Sequence, residues 1–404
     1  MYSFGHTVLL RSDGTAVACG HNDHGQCNVP PLLAGQRYVQ VAAGDSHTVL
    51  LKSDGTAVAC GDNAHRQCDV PPLPPGQRYV QVAAGEHTAL LRSDGTAVAF
   101  GFRYGPRQHK PPPVLPRQRY VQVAARRENT VFLRSNGEAV SCRCRFLYRE
   151  WYPLLYEGEA YVQIAAGSCH DVLLRNDGTA KAGGNNFEGQ CALPPLPAGQ
   201  TYVQIAAGNN HTVLLRSDGS ATACGENTYG QVNLPPPAAA QTFVHAAAGA
   251  NHTVLLSSDG TAVACGCNSH GQCDLPPLVG ALTYVPQLLP TLLLQASVDG
   301  GFVNFVTLGG VNRCQIAAAP GSPLVGVRDQ LLAEHRLGRL GLGLGRVDAV
   351  LPGGRFLSEA TAEETVQSAF RPAARSPAPR EPNPRSRDRS RSAARGLALH
   401  PEGQ

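Results

Sequence analysis

Apolar positions along this chain fall in short runs, rich in Val and separated by Gly, Asp and Pro. One unit reads Tyr38-Val-Gln-Val-Ala-Ala-Gly44, then His47-Thr-Val-Leu-Leu, a Ser-Asp54-Gly55-Thr turn, and Ala57-Val-Ala-Cys60-Gly61. Such runs are too short for ordinary helices and fit β-strands. The aromatic at the head recurs at Tyr38, Tyr79, Tyr120, Tyr161, Tyr202, Phe243 and Tyr284, with a constant step of 41 residues. Self-similarity at that period marks a repeat architecture. Between the second and third runs stands Asp-Gly or Asn-Gly: Asp13-Gly14, Asp54-Gly55, Asp94-Gly95, Asn136-Gly137, Asp177-Gly178, Asp218-Gly219 and Asp259-Gly260. Those pairs tolerate φ > 0 at both centres of a type I′ turn, so a tight hairpin is predicted at each. The Gly25-Gln-Cys-Asn-Val-Pro-Pro31 segment leaves room for at most one more short strand before the prolines stop pairing.

A unit of three strands, or at most four, cannot bury both faces alone and must stack on its neighbours. The chain ends decide how. The first unit lacks its aromatic strand, while Leu282-Thr-Tyr284-Val-Pro-Gln keeps the period without a His-Thr-Val-Leu-Leu run after it. A deficit at one end and a surplus at the other is what closure by a shared blade requires. The prediction is an all-β, seven-bladed β-propeller over residues 1–290.

The units resemble the regulator of chromosome condensation repeat, whose pattern includes Ala-x-Gly-x-x-His and Gly-x-Asn-x-x-Gly-Gln. Here these read Ala43-Gly44-Asp45-Ser46-His47 and Gly20-His21-Asn22-Asp23-His24-Gly25-Gln26. The Trp usual before Gly in that family is replaced by Cys19, Cys60 or Phe100. The short blade is similar to that of a bacterial propeller inhibitor of β-lactamases. The resemblance implies one of three roles: a scaffold like the propellers of HERC-type ubiquitin ligases, an exchange factor for a Ran-like GTPase, or a plain binding module. Fold alone does not choose among them.

Beyond the propeller the pattern changes. Phe302–Gly310 and Cys314-Gln-Ile-Ala-Ala read as a hairpin, Val325–His335 has helical apolar spacing behind Ser322 as N-cap, and Val347–Leu357 reads as a strand and turn. This order over 291–370 resembles a ubiquitin-like β-grasp domain, an α+β unit. Residues 371–404 hold 8 Arg against 3 acids among Pro and Ser, so a disordered tail is expected there, open to weak nucleic-acid contact.

Composition adds compartment and chemistry. The sequence begins inside a repeat, with no basic, apolar leader and no run long enough to span a bilayer. The 13 Cys are therefore expected to be reduced thiols of a cytoplasmic or nuclear protein. A monomer without membrane contact is expected.

His6, His47, His87, His170, His211 and His252 form a column, with Asn129 in the fourth unit. A catalytic site needs different residues in different roles, so a repeated His implies a shared structural hydrogen bond. Cysteines eight apart (Cys19/Cys27, Cys60/Cys68, Cys265/Cys273) lose their partners independently in the units with Gly183/Cys191 and Cys224/Val232. Obligate pairs would be lost together, so buried thiols are expected rather than metal or disulfide partners. No enzyme motif, metal site or cofactor site is expected.

The symmetry breaks in the third and fourth units. Residues 103–149 carry 11 Lys/Arg against Glu128 and Glu138, a local charge of +9. Arg103, Arg107, Arg126, Arg127, Arg143, Arg145, Arg149, Trp151 and Tyr152 lie in or beside the altered segments. Arg, Trp and Tyr are the types most enriched in interface hot spots. These nine are the candidate patch for a protein partner, an acidic surface or a small GTPase.

Overall fold

The computed structural model describes residues 5–286 except 102–109, 115, 117, 128, 143–151, 154 and 157, and four strands between 289 and 350. The first unit supplies β1 (His6–Leu10) and β2 (Ala16–Gly20), and the second β3 (Tyr38–Ala43), β4 (His47–Lys52) and β5 (Ala57–Gly61). Five more units follow the second: β6–β8 (Tyr79–Ala84, Thr88–Arg92, Ala97–Phe100), β9–β11 (Tyr120–Arg126, Asn129–Arg134, Ala139–Cys142), β12–β14 (Tyr161–Ala166, His170–Arg175, Ala180–Gly184), β15–β17 (Tyr202–Ala207, His211–Arg216, Ala221–Gly225) and β18–β20 (Phe243–Ala248, His252–Ser257, Ala262–Gly266). Each of these six is a three-stranded antiparallel sheet, paired in chain order. They are the blades of an all-β propeller of six to seven blades. The Gly-Gln-Cys segments form turns rather than a fourth strand.

The middle strand explains why the second run is continuously apolar. Both its faces are covered, because blades stack. Leu50 packs with Val8, Leu10, Tyr38 and Val41 on one side. Its neighbours Val49 and Leu51 pack with Tyr79, Val82 and Leu90 on the other. Each core layer thus lies between two blades. The aromatic column closes each layer from the edge: the hydroxyl of Tyr38 donates to the Pro30 carbonyl at 2.7 Å, and that of Tyr79 to Pro71 at 2.8 Å. The Pro pair is therefore an anchor for the next blade's first strand as well as a strand breaker.

The hairpin turns correct one expectation. Only the Gly of each Asp-Gly pair has positive φ, for example +82° at Gly55, and Asp54 does not. The loop has three residues, with Gly55 N–H bonded to Lys52 O at 3.0 Å and Lys52 N–H to Thr56 O at 2.8 Å. This is a type I turn followed by a left-handed glycine, not type I′. Asp selects it, because Asp54 Oδ1 accepts from both the N–H and the hydroxyl of Thr56, at 2.8 and 2.7 Å.

The glycine also lets the next blade approach. Its carbonyl accepts from Tyr79 N–H at 2.8 Å, and a Cβ at Gly55 would stand 2.4 Å from the Cβ of Arg78. Gly35 has nearly the same φ, +81°, but open space around it. Gly35→Ala is accordingly expected to cost only the left-handed penalty, about 1 kcal/mol. Gly55→Ala should cost roughly 2 kcal/mol more, since backbone must move. Urea melts of the two variants measure the difference; equal costs would mean the blades are not in contact at the turn.

β1 and β2 pair with each other only. Beside them Tyr284 bridges Arg11, Ser12 N–H reaches Thr283 O at 2.9 Å, and Val285 N–H reaches Leu10 O at 3.0 Å. The Ser12–Thr283 bond repeats the Ser53–Arg37 bond of the second blade.

β21 (Leu289–Asp299), β22 (Phe302–Thr307), β23 (Asn312–Ala317) and β24 (Gly345–Val350) form a mixed sheet in the order β23-β22-β21-β24, with β21 and β24 parallel. The β22–β23 hairpin is as expected from sequence; β21, with Pro290 near its start, was not foreseen. The helix expected around 325–335 and the tail from Arg371 lie outside the described residues. Among the described residues there is no helix.

Candidate functional site

The histidine column is a chain of links between neighbouring blades. His47 Nε2 lies 2.8 Å from Thr88 Oγ1, and Thr88 donates its own proton to Gln67 O at 2.6 Å. A hydroxyl has one proton, so His47 Nε2–H must donate and the ring is the Nε2–H tautomer. The same relay runs from His6 to Thr48 and Gln26 O, from His170 to Thr212 and Gln190 O, and from His211 to Thr253 and Gln231 O. His252 continues it to Thr7, whose hydroxyl donates to Gln272 O at 2.7 Å. The Gln of each Gly-Gln segment is thus held for its carbonyl. Removing Thr88 with Val would orphan a buried N–H and a carbonyl together. Thr88→Val is expected to cost about 2–4 kcal/mol by urea denaturation; a cost below about 1 kcal/mol would remove the relay from the stability account.

Burial depresses the basicity of these rings. Desolvation pulls His47, His170 and His252 down to about 4 and His6 and His211 to about 3. Neutral rings in fixed tautomers link each blade to the next.

The thiols sit below the relay. Cys27 Sγ lies 3.4 Å from His21 O and Cys60 Sγ 3.8 Å from Gln26 O. Burial pushes both up to about 11, so they are protonated and poorly nucleophilic at neutral pH. The eight-apart spacing is incidental: Cys60 sits against the connector of the preceding blade.

A second column escaped notice in the sequence. Gln81 Oε1 accepts from Val123 N–H at 2.8 Å and its amide donates to Val123 O at 2.9 Å. Gln122, Gln163 and Gln204 clasp Ile164, Ile205 and Ala246 in the same way. Each innermost strand is a sheet edge, and the preceding blade's glutamine satisfies its exposed peptide group. These strands surround a central cavity of about 300 Å³, lined by the Gln column, small Ala residues, His6, His245 and His252. The i, i+42 spacing of Gln and its target was the readable signal.

The candidate patch residues divide. Arg103, Arg107, Arg143, Arg145, Arg149 and Trp151 lie outside the described residues. Arg127 is exposed, with φ of +44°, and its carbonyl accepts from Glu86 N–H at 3.0 Å and from His87 Nδ1 at 2.8 Å. Arg126 is not on an open face. It occupies the position that is Gly44 or Gly85 elsewhere, is 6% exposed, lines the central cavity, and donates from Nε to Asn209 Oδ1 at 3.1 Å. Tyr152 is half-buried and donates to Asp171 Oδ2 at 3.1 Å.

Asp171 is where the fourth blade keeps its link despite its altered sequence. The fourth unit has Asn129 for His and the fifth has Asp171 for Thr, and Asn129 Nδ2 donates to Asp171 Oδ1 at 2.6 Å. Among the described residues no group of three His, Cys, Asp or Glu is placed to hold a metal ion.

Residues 2–26, 38–67, 202–231 and 243–272 match the regulator of chromosome condensation (RCC1) repeat. Among solved structures the chain is similar to Prp20p from Saccharomyces cerevisiae (19% identity, 64% of this chain and 82% of that one, TM-score 0.50), described with its binding properties to Gsp1p and histones. It is also similar to the CRINKLY WD40 ectodomain of the Arabidopsis thaliana receptor kinase ACR4 (19%, 67% and 94%, 0.51) and to the ectodomain of the Physcomitrella patens receptor kinase CR4 (17%, 80% and 87%, 0.53). At these identities the likeness is one of fold. No curated protein matches the chain.

Proposed function

We propose that this propeller, built from regulator of chromosome condensation repeats, is a non-catalytic scaffold that binds another protein through its third and fourth blades. The reading takes seven blades, the last joint made by sharing: β1 and β2 complete a blade with the strand at Tyr284. The Arg11–Tyr284 bridge, the His252–Thr7 bond and the Thr7–Gln272 bond support that joint.

The observation that carries the function is how the fourth blade departs from the repeat. Loss of sequence without constraint would leave buried polar groups orphaned, at about 1–3 kcal/mol each. Instead Asn129 and Asp171 rebuild the inner link, and Tyr152 ties the altered connector to it. A connector that is rich in Arg, bears the single Trp and is anchored at its base suits an acidic protein surface. A ubiquitin-pathway adaptor, in the manner of HERC-type propellers, is one such scaffold. The second reading, an exchange factor for a small GTPase, draws on the fold likeness to Prp20p.

The test compares the full chain with a variant carrying a regular Gly-Asn-x-x-Gly-Gln connector over 143–152 together with Asn129→His and Asp171→Thr, so that the link is kept. Specific partners captured from lysate by the first and lost by the second are expected. An unchanged partner list from a folded variant would refute the assignment to this blade. Accelerated nucleotide release from a captured GTPase would move the function to the second reading.

A further inference from the structure

Among the described residues that line the central cavity, Arg126 is the one charged side chain. The guanidinium is nearly fully buried, yet no carboxylate of the described residues lies within 4 Å of it. Among the described residues its one hydrogen bond, from Nε to Asn209, leaves the two terminal amino groups without a partner. A buried cation in that condition is costly unless something anionic joins it.

The histidines beside it offer no acceptor to the cavity. Because Thr48 and Thr7 give their protons to Gln26 O and Gln272 O, His6 and His252 must donate from Nε2. Their Nδ1 atoms carry the lone pairs, and both are buried with no surface open to the cavity. Both rings line the cavity, close enough for the charge of Arg126 to act on each. Gln81, Gln122, Gln163 and Gln204 do not compete, since their amides are spent on neighbouring strands. A group that fills this space must accept from a guanidinium.

We propose that the central cavity binds a small oxyanion, inorganic phosphate being the simplest, with Arg126 donating from its terminal amino groups to the charged oxygens. A cavity of about 300 Å³ is at the small end of ligand sites and has room for such an ion with water around it. Charge and paired donors are what the guanidinium reads, so sulfate should bind there as well. Asp45 acts on Arg126 from beyond salt-bridge distance and offsets part of its charge, so modest affinity is expected.

Equilibrium dialysis of the full chain against labelled inorganic phosphate at pH 7 and constant ionic strength tests this. The control is Arg126→Gly, which restores the glycine of the other blades and keeps every other arginine. Saturable uptake of one equivalent by the native chain is expected, at least about tenfold weaker in the variant, with sulfate competing and chloride at the same concentration not. N-acetylphosphoserine amide as competitor separates sources: displacement at similar concentration points to a partner's phosphorylated side chain, and none to the free ion. Absence of saturable uptake, equal uptake by Arg126→Gly, or equal competition by chloride would overturn the proposal.

Discussion

Acidification from pH 7 to about 4.5 is expected to remove most of the chain's folding stability. The cause is the histidine column. His6, His47, His170, His211 and His252 are buried and neutral, held at about 3 to 4, and the cavity-lining His245 is held at about 4. In the unfolded chain each returns to about 6.5. Folded values lie below unfolded ones, so the unfolded state binds more protons between these limits. Stability is then full above pH 6.5 and is lost as pH falls toward 4. Each ring contributes up to about 1.4 kcal/mol per pH unit in that window. Over two units six rings reach on the order of 10 kcal/mol, comparable with the whole stability of a typical domain. The turn aspartates Asp13, Asp54 and Asp218 are also depressed, chiefly by hydrogen bonds from Thr15, Thr56 and Ser220. They are exposed and titrate lower, so they add little in this window.

Guanidinium melts at pH 7.5, 6.5, 5.5 and 4.5 measure the slope. Uptake of more than about three protons on unfolding near pH 5.5 is expected. A flat midpoint between pH 7 and 5 would mean the rings are charged or solvated in the folded state. His245→Gln sharpens the test. Glutamine is the residue at this position in the preceding five blades, so the fold should hold while proton uptake falls by about one.

The repeat was legible because stacking repeats its chemistry. Tyr38, the Val-rich runs and Asp54-Gly55 each do the same job in successive blades, and a fixed period exposes them. The histidine column shows in the sequence for the same reason. Features that link one blade to the next were harder to read, because each needs two positions about 42 residues apart. Gln81 looks like an ordinary polar strand residue until Val123 is placed beside it. Arg126 looked like part of a surface patch because two arginines in sequence usually face water. It is buried because the glycine it replaces stands where the innermost strand meets the cavity, and only its neighbour Arg127 turns outward, through a left-handed φ. The turn type was missed because Asp-Gly fits two hairpins, and the Thr that follows, through Asp54, selects the three-residue one.

Asp171→Thr alone is expected to destabilise the chain by about 2–4 kcal/mol, although threonine is the residue of the other blades. The reason is reach. His with Thr spans the gap between blades by pairing a long side chain with a short one, and Asn129 with Asp171 spans it by two of middle length. Thr at 171 facing Asn at 129 leaves a gap, an orphaned amide, and Tyr152 without its acceptor. Asn129→His alone crowds the imidazole against a buried carboxylate. Together the two changes recreate the standard link, so the double variant should recover all but the Tyr152 bond, about 1 kcal/mol. Urea denaturation of the four proteins gives the coupling, expected above about 1.5 kcal/mol. Additive single effects would mean that the two positions changed independently. The fourth blade would then be a loosened copy of the others, and its basic connector would lose the argument that it is held in place for a partner. Coupling with the expected sign would mean that the inner joint was rebuilt while the outer connector diverged, as a blade needs if it gives up repeat sequence for a binding surface.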